Sequence, residues 1–255
     1  MKVLITNDDG IYSRGIYALY EVFSKIADVT VVAPITEQSA VGHAITISLP
    51  LRIHEVYRKD NFFGYGVNGT PADCVKLAFS DILTTKPDLV ISGVNRGANL
   101  ASNVIYSGTV SAATEGAMMG VPSIAVSLAS VEYHDYSVAA EFAIFFAKKV
   151  LGFKFKNGTL WNINVPPLKK SEIKGWRYAV QGKTKYLDTF EKRLDPRGNT
   201  YYWLTGEKII ERTSEESDDY LLERGFITVT PIKYDLTDCE LYKKLKEGEE
   251  NYEFN

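Results

Sequence analysis

Two adjacent carboxylates near the start of the chain, Asp8 and Asp9, are the residues best suited to chemistry. They follow an apolar run at residues 3–6, which is typical of a buried strand because aliphatic and β-branched residues continue without polar alternation. Gly10 comes next, and an Asp-Gly step favours a tight turn. Such a pair can simply shape the turn and cap the following helix. Because two neighbouring carboxylates repel each other, we favour a cation bound beside them.

Oxygen-bearing side chains also follow two other predicted strands. Ser39 comes after a strand predicted at residues 29–33, and Asn95 comes after a strand predicted at residues 89–92. Because the carboxyl ends of neighbouring parallel strands meet at one edge of a sheet, we expect both side chains to lie near the two aspartates. Oxygen ligands suit Mg²⁺, Mn²⁺ or Ca²⁺ and argue against zinc. The carboxylates balance a divalent charge, and the neutral ligands leave positions that an anionic substrate can enter.

A third feature, Ser107-Gly108-Thr109, stands directly before a helix predicted at residues 110–119. Hydroxyl groups, a glycine that permits close backbone approach and the free N–H groups of a helix start together make an anion site. Taken alone, Ser107 or Thr109 would more simply cap the helix. Beside a divalent metal the same residues predict a bound phosphate, and we include Asn99 of the preceding loop among the expected phosphate-binding residues.

Three further side chains have plain structural alternatives. His43 and His134 can act as acid–base groups, but a histidine is more often a surface or packing residue. Arg96 can hold a phosphate, although an exposed loop arginine needs no such role. We regard His43 and Arg96 as candidate substrate contacts.

The elements that must position these residues alternate between strand and helix. Between the first two strands, apolar residues at positions 16, 19, 20 and 23 recur at helical spacing. Strand, helix and strand over this length form a βαβ unit, which implies a right-handed crossover and a parallel sheet. Residues 45–56 and 65–67 look extended and predict antiparallel strands in place of a further βαβ unit, a feature called the antiparallel excursion below. The next predicted elements are helices at 70–83 and 138–151 and strands at 123–127 and 160–165. We predict an α/β fold whose mostly parallel sheet carries helices on both faces.

A pair of prolines ends the predicted core, which we place at residues 1–167, and a C-terminal extension covers residues 168–255. Residues 176–204 are rich in Tyr, Trp, Thr and Lys and centre on a turn signal at 195–198, which predicts a long β-hairpin arm. A free arm is marginally stable, so we expect it to pack on another subunit. A short helix at 218–224, a strand at 226–231 and a terminal helix at 239–246 are predicted after it.

The bulk properties describe an ordinary soluble protein. The chain has 255 residues and a net charge of −3, so nothing suggests a nucleic-acid polymer as partner. Its two cysteines lie far apart, in neither metal nor redox spacing. Neither a signal peptide nor a membrane span is predicted, and we expect a cytoplasmic protein.

Five sequence blocks are distinctive: NDDGI at residues 7–11, GTPADCV at 69–75, SGVNRGAN at 92–99, YSGTV at 106–110 and GFITVTP at 225–231. Together they resemble the SurE family of stationary-phase survival proteins. The resemblance spans essentially the whole chain, in order. It implies a Rossmann-like core whose C-terminal extension is exchanged between the subunits of a dimer, sometimes a tetramer.

What the resemblance implies for function is a metal-dependent phosphatase that acts on nucleoside monophosphates, usually called a 5′-nucleotidase. Members of the family often accept 3′-nucleotides, and some act on short polyphosphate. The family's metal ligands fall on Asp8, Asp9, Ser39 and Asn95, with one cation per subunit, Mg²⁺ or Mn²⁺. Many members have Ser-Gly where this chain has Ser39 followed by Ala40. This departure from the family pattern concerns the backbone path of the loop and not the Ser39 ligand.

The expected mechanism is hydrolysis by a metal-associated water, with Asp8 or Asp9 taking its proton. Asp8 as a covalent nucleophile is the rival route, but aspartyl-phosphate enzymes use an Asp-x-Asp-x-Thr pattern that this chain lacks. A nucleotide-binding regulatory module without chemistry is the alternative function. A third alternative is a dinucleotide-dependent oxidoreductase. The sequence argues against it, because the turn after the first strand lacks the Gly-x-Gly-x-x-Gly pattern.

Overall fold

The structure is a computed structural model that describes residues 1–133, 135–152, 158–209 and 214–247. The strands are β1 (Lys2–Thr6), β2 (Asp28–Pro34), β3 (Ile53–Arg58), β4 (Asn61–Val67), β5 (Leu89–Arg96), β6 (Ser123–Leu128), β7 (Thr159–Val165), β8 (Trp176–Tyr178), β9 (Lys185–Leu194), β10 (Thr200–Ile209) and β11 (Ile227–Lys233). The α-helices are α1 (Arg14–Phe23), α2 (Pro71–Leu77), α3 (Gly108–Met118), α4 (Ser137–Leu151), α5 (Asp218–Glu223) and α6 (Cys239–Glu247).

Within the described residues one sheet of nine strands has the order β3-β4-β2-β1-β5-β6-β7-β11-β8. Its central strands run parallel, since β1 pairs in parallel with β2 and β5, and β6 pairs in parallel with β5 and β7. Antiparallel pairing is confined to β3 with β4 and β7 with β11. The predicted α/β class and mostly parallel sheet are therefore confirmed.

Helices cover both faces of this sheet, as predicted. Successive side chains of a strand point to opposite faces, so Ile5 packs with α1 and α4 while Leu4 packs with α2 and α3. On the first face Phe23 and Phe146 are fully buried among aliphatic strand residues. Burial on both faces explains why the central strands read as continuous apolar runs.

Helix α2 starts as its sequence predicts. Thr70 caps it, because its Oγ1 accepts from the N–H of Asp73 while the Asp73 carboxylate accepts from the N–H of Thr70. Pro71 occupies the first helical position. The helix predicted at 70–83 is α2 followed by a π-helical turn, Ala78–Ile82.

The antiparallel excursion is shorter than predicted. It consists of β3 and β4, and residues 45–49 within the described chain form no regular strand. The alternating side chains of Ile45, Ile47 and Leu49 are exposed, because no neighbouring strand pairs with this stretch to give it a buried face. The segment is fixed by side-chain bonds instead, as described below.

The extension contributes to the main sheet and also forms a separate hairpin. Strand β11 lies beside β7, and β8 pairs with β11 at the edge. Strands β9 and β10 pair along their whole length around the turn near Asp195, which confirms the hairpin. The hairpin spans residues 185–209 and not 176–204, because residues 176–178 pair with β11 in the main sheet instead. The boundary at residue 167 and the exchange of the arm between subunits stay predictions. In the described residues no helix is long and apolar enough to cross a membrane.

Candidate functional site

The end of β1 meets the start of α3 through Asp8 and Thr109. The Thr109 hydroxyl donates to Oδ1 of Asp8 at 2.5 Å, and the Asp8 carboxylate is only 7% exposed. Gly108 permits this approach, because a Cβ at that position would lie 2.7 Å from the Cβ of Asp8. The structure thus brings the first carboxylate and the predicted phosphate loop together.

Asp9 lies against the end of β5. Because Thr6 pairs with Ser92 in the parallel β1–β5 ladder, the residues that follow both strands emerge at the same edge. There the backbone N–H of Arg96 donates to Oδ2 of Asp9 at 3.0 Å. The neighbouring Asn95 donates its side-chain nitrogen to the carbonyl of Gly97 at 2.8 Å. That bond uses the amide nitrogen, so the amide oxygen is the Asn95 atom that can serve a cation.

Ser39 reaches the same edge on the loop after β2. The backbone N–H of Gln38 donates to the carbonyl of Asp8 at 2.8 Å, which ties this loop to the carboxylate pair. The Ser39 hydroxyl donates to Glu37 at 2.5 Å, and the Arg96 guanidinium lies 3.5 Å from the same Glu37 oxygen. Ser39 is therefore connected to the Arg96 side of the site through one acidic side chain.

Burial makes both aspartates unfavourable as free anions. Burial raises the pKa of Asp8, and the hydrogen bond from Thr109 opposes part of that rise. For Asp9, burial first and then the charge of Asp8 raise the pKa to about 6. The next contribution, the hydrogen bond from the Arg96 backbone, lowers it. A cation between the carboxylates would reverse these shifts, since an opposite charge favours the ionised form.

Ser107 is the N-cap of α3. Its hydroxyl accepts from the N–H of Val110 at 3.0 Å, so the capping role considered for this residue is real. Thr109 is different, because its hydroxyl points to Asp8 and not to the backbone of the helix. The two hydroxyls of this loop thus have separate partners, one in the helix and one in the carboxylate pair.

Asn99 anchors its loop to the sheet. Its side-chain nitrogen donates to Ser127 at 2.9 Å, and its backbone N–H donates to Asn164 at 2.8 Å. The side chains of Asn162 and Asn164 both donate to its carbonyl. The structure engages Asn99 with β6 and β7, and its predicted contact with phosphate stays a prediction.

His43 contacts a buried acid and not the carboxylate pair. Its Nε2 lies 2.9 Å from Glu115 on α3, and the Lys76 ammonium lies 2.8 Å from the other Glu115 oxygen. Burial raises the pKa of Glu115, but the bonds from His43 and Lys76 outweigh it and leave that pKa below its ordinary value. His43 thereby ties the Ser39 loop to α3. His134 lies outside the described residues.

Asp73 holds the same loop further along. Besides capping α2, its carboxylate accepts from the backbone N–H and the hydroxyl of Thr46 at 2.9 and 2.6 Å. Thr70 adds a bond from its hydroxyl to the carbonyl of Ala44 at 2.8 Å. These bonds hold residues 44 and 46 against the start of α2, although residues 45–49 form no strand.

A cavity of about 360 Å³ opens beside Asp9. Four of its lining residues, Ser13, Arg14, Glu37 and Tyr136, were not predicted as site residues from the sequence. The position of Arg14 was a signal of a role outside the helix, because a cation in the first turn of a helix opposes the helix dipole. Tyr136 precedes α4, away from every strand end, and no pattern pointed to it. The cavity places two arginines and an aromatic ring next to the carboxylate pair.

A larger cavity of about 690 Å³ lies between the 97–101 loop and the extension. Its lining includes Leu168, Thr184 and Leu222 but neither aspartate, so its size does not make it the reactive site. In the described chain no three His, Cys, Asp or Glu side chains form a metal-binding group. The expected ligand set differs from such a group, since it combines two carboxylates with a hydroxyl and an amide oxygen.

Comparison with known proteins gives a consistent result. The family model described as "Survival protein SurE" matches residues 3–188. The 5′-nucleotidase SurE of Syntrophus aciditrophicus is 49% identical over 96% of this chain and 93% of its own length. The 5′-nucleotidase SurE of Natranaerobius thermophilus is 50% identical over the whole of both chains. The crystal structure of the SurE protein from Aquifex aeolicus superposes with a TM-score of 0.84 at 40% identity, covering 98% of this chain and all of the other.

Proposed function

The chain belongs to the SurE family, and from that premise we propose that it is a phosphoric monoester hydrolase that releases phosphate from nucleoside 5′-monophosphates. Two relatives named 5′-nucleotidase SurE share about half of its residues over nearly full length. The observation that carries the proposal is the bond between Asp8 and Thr109, which joins a carboxylate pair to the positive end of a helix.

We propose one divalent cation per subunit, Mg²⁺ or Mn²⁺, held by Asp8, Asp9, the Ser39 hydroxyl and the Asn95 amide oxygen. The donor set supports this assignment, because all four groups offer the oxygen atoms that these cations prefer. The raised pKa of both aspartates supports it too, since buried neighbouring carboxylates are stabilised by positive charge. When bound, the cation would neutralise phosphate charge and make a water molecule more acidic.

The chain's own residues then have distinct tasks. The N–H groups at the start of α3 hold phosphate oxygens beside the carboxylates, while the Thr109 hydroxyl, which donates to Asp8, fixes the first carboxylate. One of the two aspartates takes a proton from the attacking water. The water oxygen bonds to phosphorus, the bond from phosphorus to the ribose oxygen breaks, and the nucleoside leaves with a proton. Arg96 and His43 are further candidates for contact with substrate.

The nucleoside part of the substrate fits the cavity next to Asp9. Its volume of about 360 Å³ falls in the range of small-molecule sites. Arg14 and Arg96 supply positive charge for a nucleotide, and Tyr136 supplies an aromatic ring. Because phosphate and metal provide most of the recognition, we propose that 3′-nucleotides and short polyphosphate are also accepted.

We further propose a cytoplasmic homodimer or homotetramer in which residues 1–167 form the catalytic core. The hairpin of β9 and β10 would pack on another subunit, and its exposed Phe190, Tyr202 and Trp203 support this arrangement. The partners are then a second copy of the chain and the nucleotide, without a nucleic-acid polymer or a membrane.

The test is phosphate release from a panel of nucleoside 5′- and 3′-monophosphates. Each is measured with chelator and again after Mg²⁺ or Mn²⁺ is restored. We expect release that the chelator abolishes and the metal restores. Nucleotide binding without release under any condition would favour a regulatory binding module instead.

A further inference from the structure

The C-terminal extension forms hydrogen bonds with the segment that leads into the phosphate loop. This segment is a 3-10 turn, Ala101–Tyr106, and Ser107 follows it directly as the cap of α3. A phosphate loop is useful only if its N–H groups are held in place relative to the carboxylates. What holds the turn therefore matters for the site.

Both backbone groups of Ala101 are held by the extension. Its N–H donates to Oδ2 of Asp218 at 3.3 Å, and its carbonyl accepts from the side chain of Gln181 at 2.7 Å. Ala101 also has a φ of 49°, in the left-handed region that a residue with a Cβ seldom adopts. Such a conformation persists where the surroundings over-determine it, and the two bonds do so here.

Asp218 links the 3-10 turn to the segment that contains Gly182. Its Oδ1 accepts from the backbone N–H of Gly182 at 2.9 Å, while its Oδ2 accepts from Ala101. The residue is fully buried, and a buried carboxylate costs stability unless its bonds compensate. A third link is the bond from the Ser102 hydroxyl to the carbonyl of Thr184 at 3.2 Å.

The turn also reaches the other side of the site. The carbonyl of Tyr106 accepts from the N–H of Gly42 at 3.0 Å, on the loop that carries Ser39. At its end the N–H of Ser107 donates to the carbonyl of Val104. The turn therefore lies between the extension and two walls of the site, the helix start and the Ser39 loop.

We propose that Asp218 and Gln181 are positioning residues for the phosphate site. By fixing Ala101 they set the turn, and the turn sets the start of α3 against Asp8. This inference rests on the proposed function, because it assigns a task to the extension in that same reaction. Neither residue lines the cavity beside Asp9.

The decisive variant is Asp218→Asn. Its oxygen can still accept from Gly182, but its NH₂ group then faces the N–H of Ala101, so the link to the turn is lost selectively. Gln181→Ala removes the other link. Because Gln181 is exposed, this substitution should leave the fold intact. Ser217→Ala is the matched control, because Ser217 bonds to Ser214 and Asp219 within the extension and not to the turn.

The readouts are kcat and KM for a nucleoside 5′-monophosphate, the inhibition constant of inorganic phosphate, and amide hydrogen exchange over residues 101–109. We expect both test variants to lower kcat/KM by about tenfold or more, as misplaced groups do. Phosphate inhibition should weaken in parallel, and exchange over 101–109 should accelerate. The control should match the wild type in all three.

Two failures are distinguishable. Unchanged phosphate inhibition and exchange in Gln181→Ala and in folded Asp218→Asn, with an active wild type, would overturn this inference alone. An equal loss in Ser217→Ala would also overturn it, since any loosening of the extension would then suffice. A wild-type protein that releases no phosphate from any nucleotide would instead refute the proposed function. If Asp218→Asn does not fold, Gln181→Ala decides.

Discussion

Thr109 donates a hydrogen bond from its hydroxyl to Asp8, and the two oxygen atoms are 2.5 Å apart although 101 positions separate the residues in sequence. Asp8 follows the first strand, and Thr109 lies in the first turn of α3. The bond requires the helix start to approach the strand end closely, and that closeness gives a direct test.

Gly108→Ala should damage the site more than the fold. Its new Cβ would lie 2.7 Å from the Cβ of Asp8, so the helix start or the carboxylate must move. We expect a loss of about 1–3 kcal/mol in the free energy of unfolding, as in other overpacked sites. Activity should fall by about tenfold to a hundredfold, because groups displaced by an ångström catalyse poorly.

The control for this variant is Gly152→Ala at the end of α4. Its φ is −82°, and its Cβ would meet only ordinary contacts at 3.4 Å or more. Steady-state kinetics and urea unfolding of both variants provide the comparison. Equal activity of Gly108→Ala and the wild type would contradict the close approach.

Arg14→Ala should weaken nucleotide binding without removing the chemistry. Arg14 lines the cavity beside Asp9, so KM for a nucleoside monophosphate should rise. A small phosphate ester such as p-nitrophenyl phosphate does not fill that cavity, and its kcat/KM should change much less. The variant should be slightly more stable, by about 0.3–1 kcal/mol, because a cation at a helix start opposes the dipole. An equal effect on both substrates would argue against a nucleoside in this cavity.

Ala40→Gly should be tolerated in the loop that carries Ser39. Ala40 has a φ of 54°, where a Cβ costs about 1–2 kcal/mol and glycine pays no such strain. The greater freedom of glycine in the unfolded chain offsets about 0.5–1 kcal/mol of that gain. We expect retained activity and a free energy of unfolding equal to or up to about 1 kcal/mol above the wild type. Ala40→Val, whose β-branched side chain fits this conformation poorly, should be clearly less stable in the same urea titration.

The buried Asp218 predicts a pH dependence of stability. Burial raises its pKa to about 6 in the folded protein, against about 3.9 in an unfolded chain. Between these values the folded state binds more protons, so its stability falls as pH rises from about 4 to 6. The contribution is on the order of 3 kcal/mol.

The measurement is urea unfolding at several pH values for the wild type and Asp218→Asn. The difference between their free energies of unfolding should change across that window, because the variant cannot titrate there. Asp219 has a lowered pKa and acts in the opposite direction, but it is present in both proteins, so the difference reports chiefly on Asp218. A constant difference from pH 4 to 7 would show that Asp218 titrates normally.

The sequence predicted those parts of the site that lie at strand ends. A buried parallel strand has a clear apolar pattern, and the direction of the strands determines which residues share an edge. That rule alone groups the two aspartates with Ser39 and Asn95. In the structure the aspartates follow β1, Ser39 follows β2, and Asn95 lies near the end of β5. The helix predicted at residues 110–119 from its run of small residues is α3, which begins two residues earlier, at Gly108.

Other parts depend on contacts that no local pattern encodes. Residues 45–49 alternate like a strand, yet Asp73 fixes them as a loop. His43 lies 72 positions from Glu115, and Ala101 lies 117 positions from Asp218. Tyr136 reaches the cavity from a loop before a helix. These residues are positioned by tertiary packing, which a single sequence does not reveal.

Under the proposed function, Asp8 helps to hold a divalent cation that hydrolysis requires. The direct measurement is phosphate release from a nucleoside 5′-monophosphate by metal-free protein as Mn²⁺ or Mg²⁺ is added back, for the wild type and for Asp8→Asn. We predict that release by the wild type rises with added metal, whereas Asp8→Asn keeps its folded structure and releases almost no phosphate at any metal concentration. Full activity in Asp8→Asn, or release by the wild type that needs no metal, would contradict the claim.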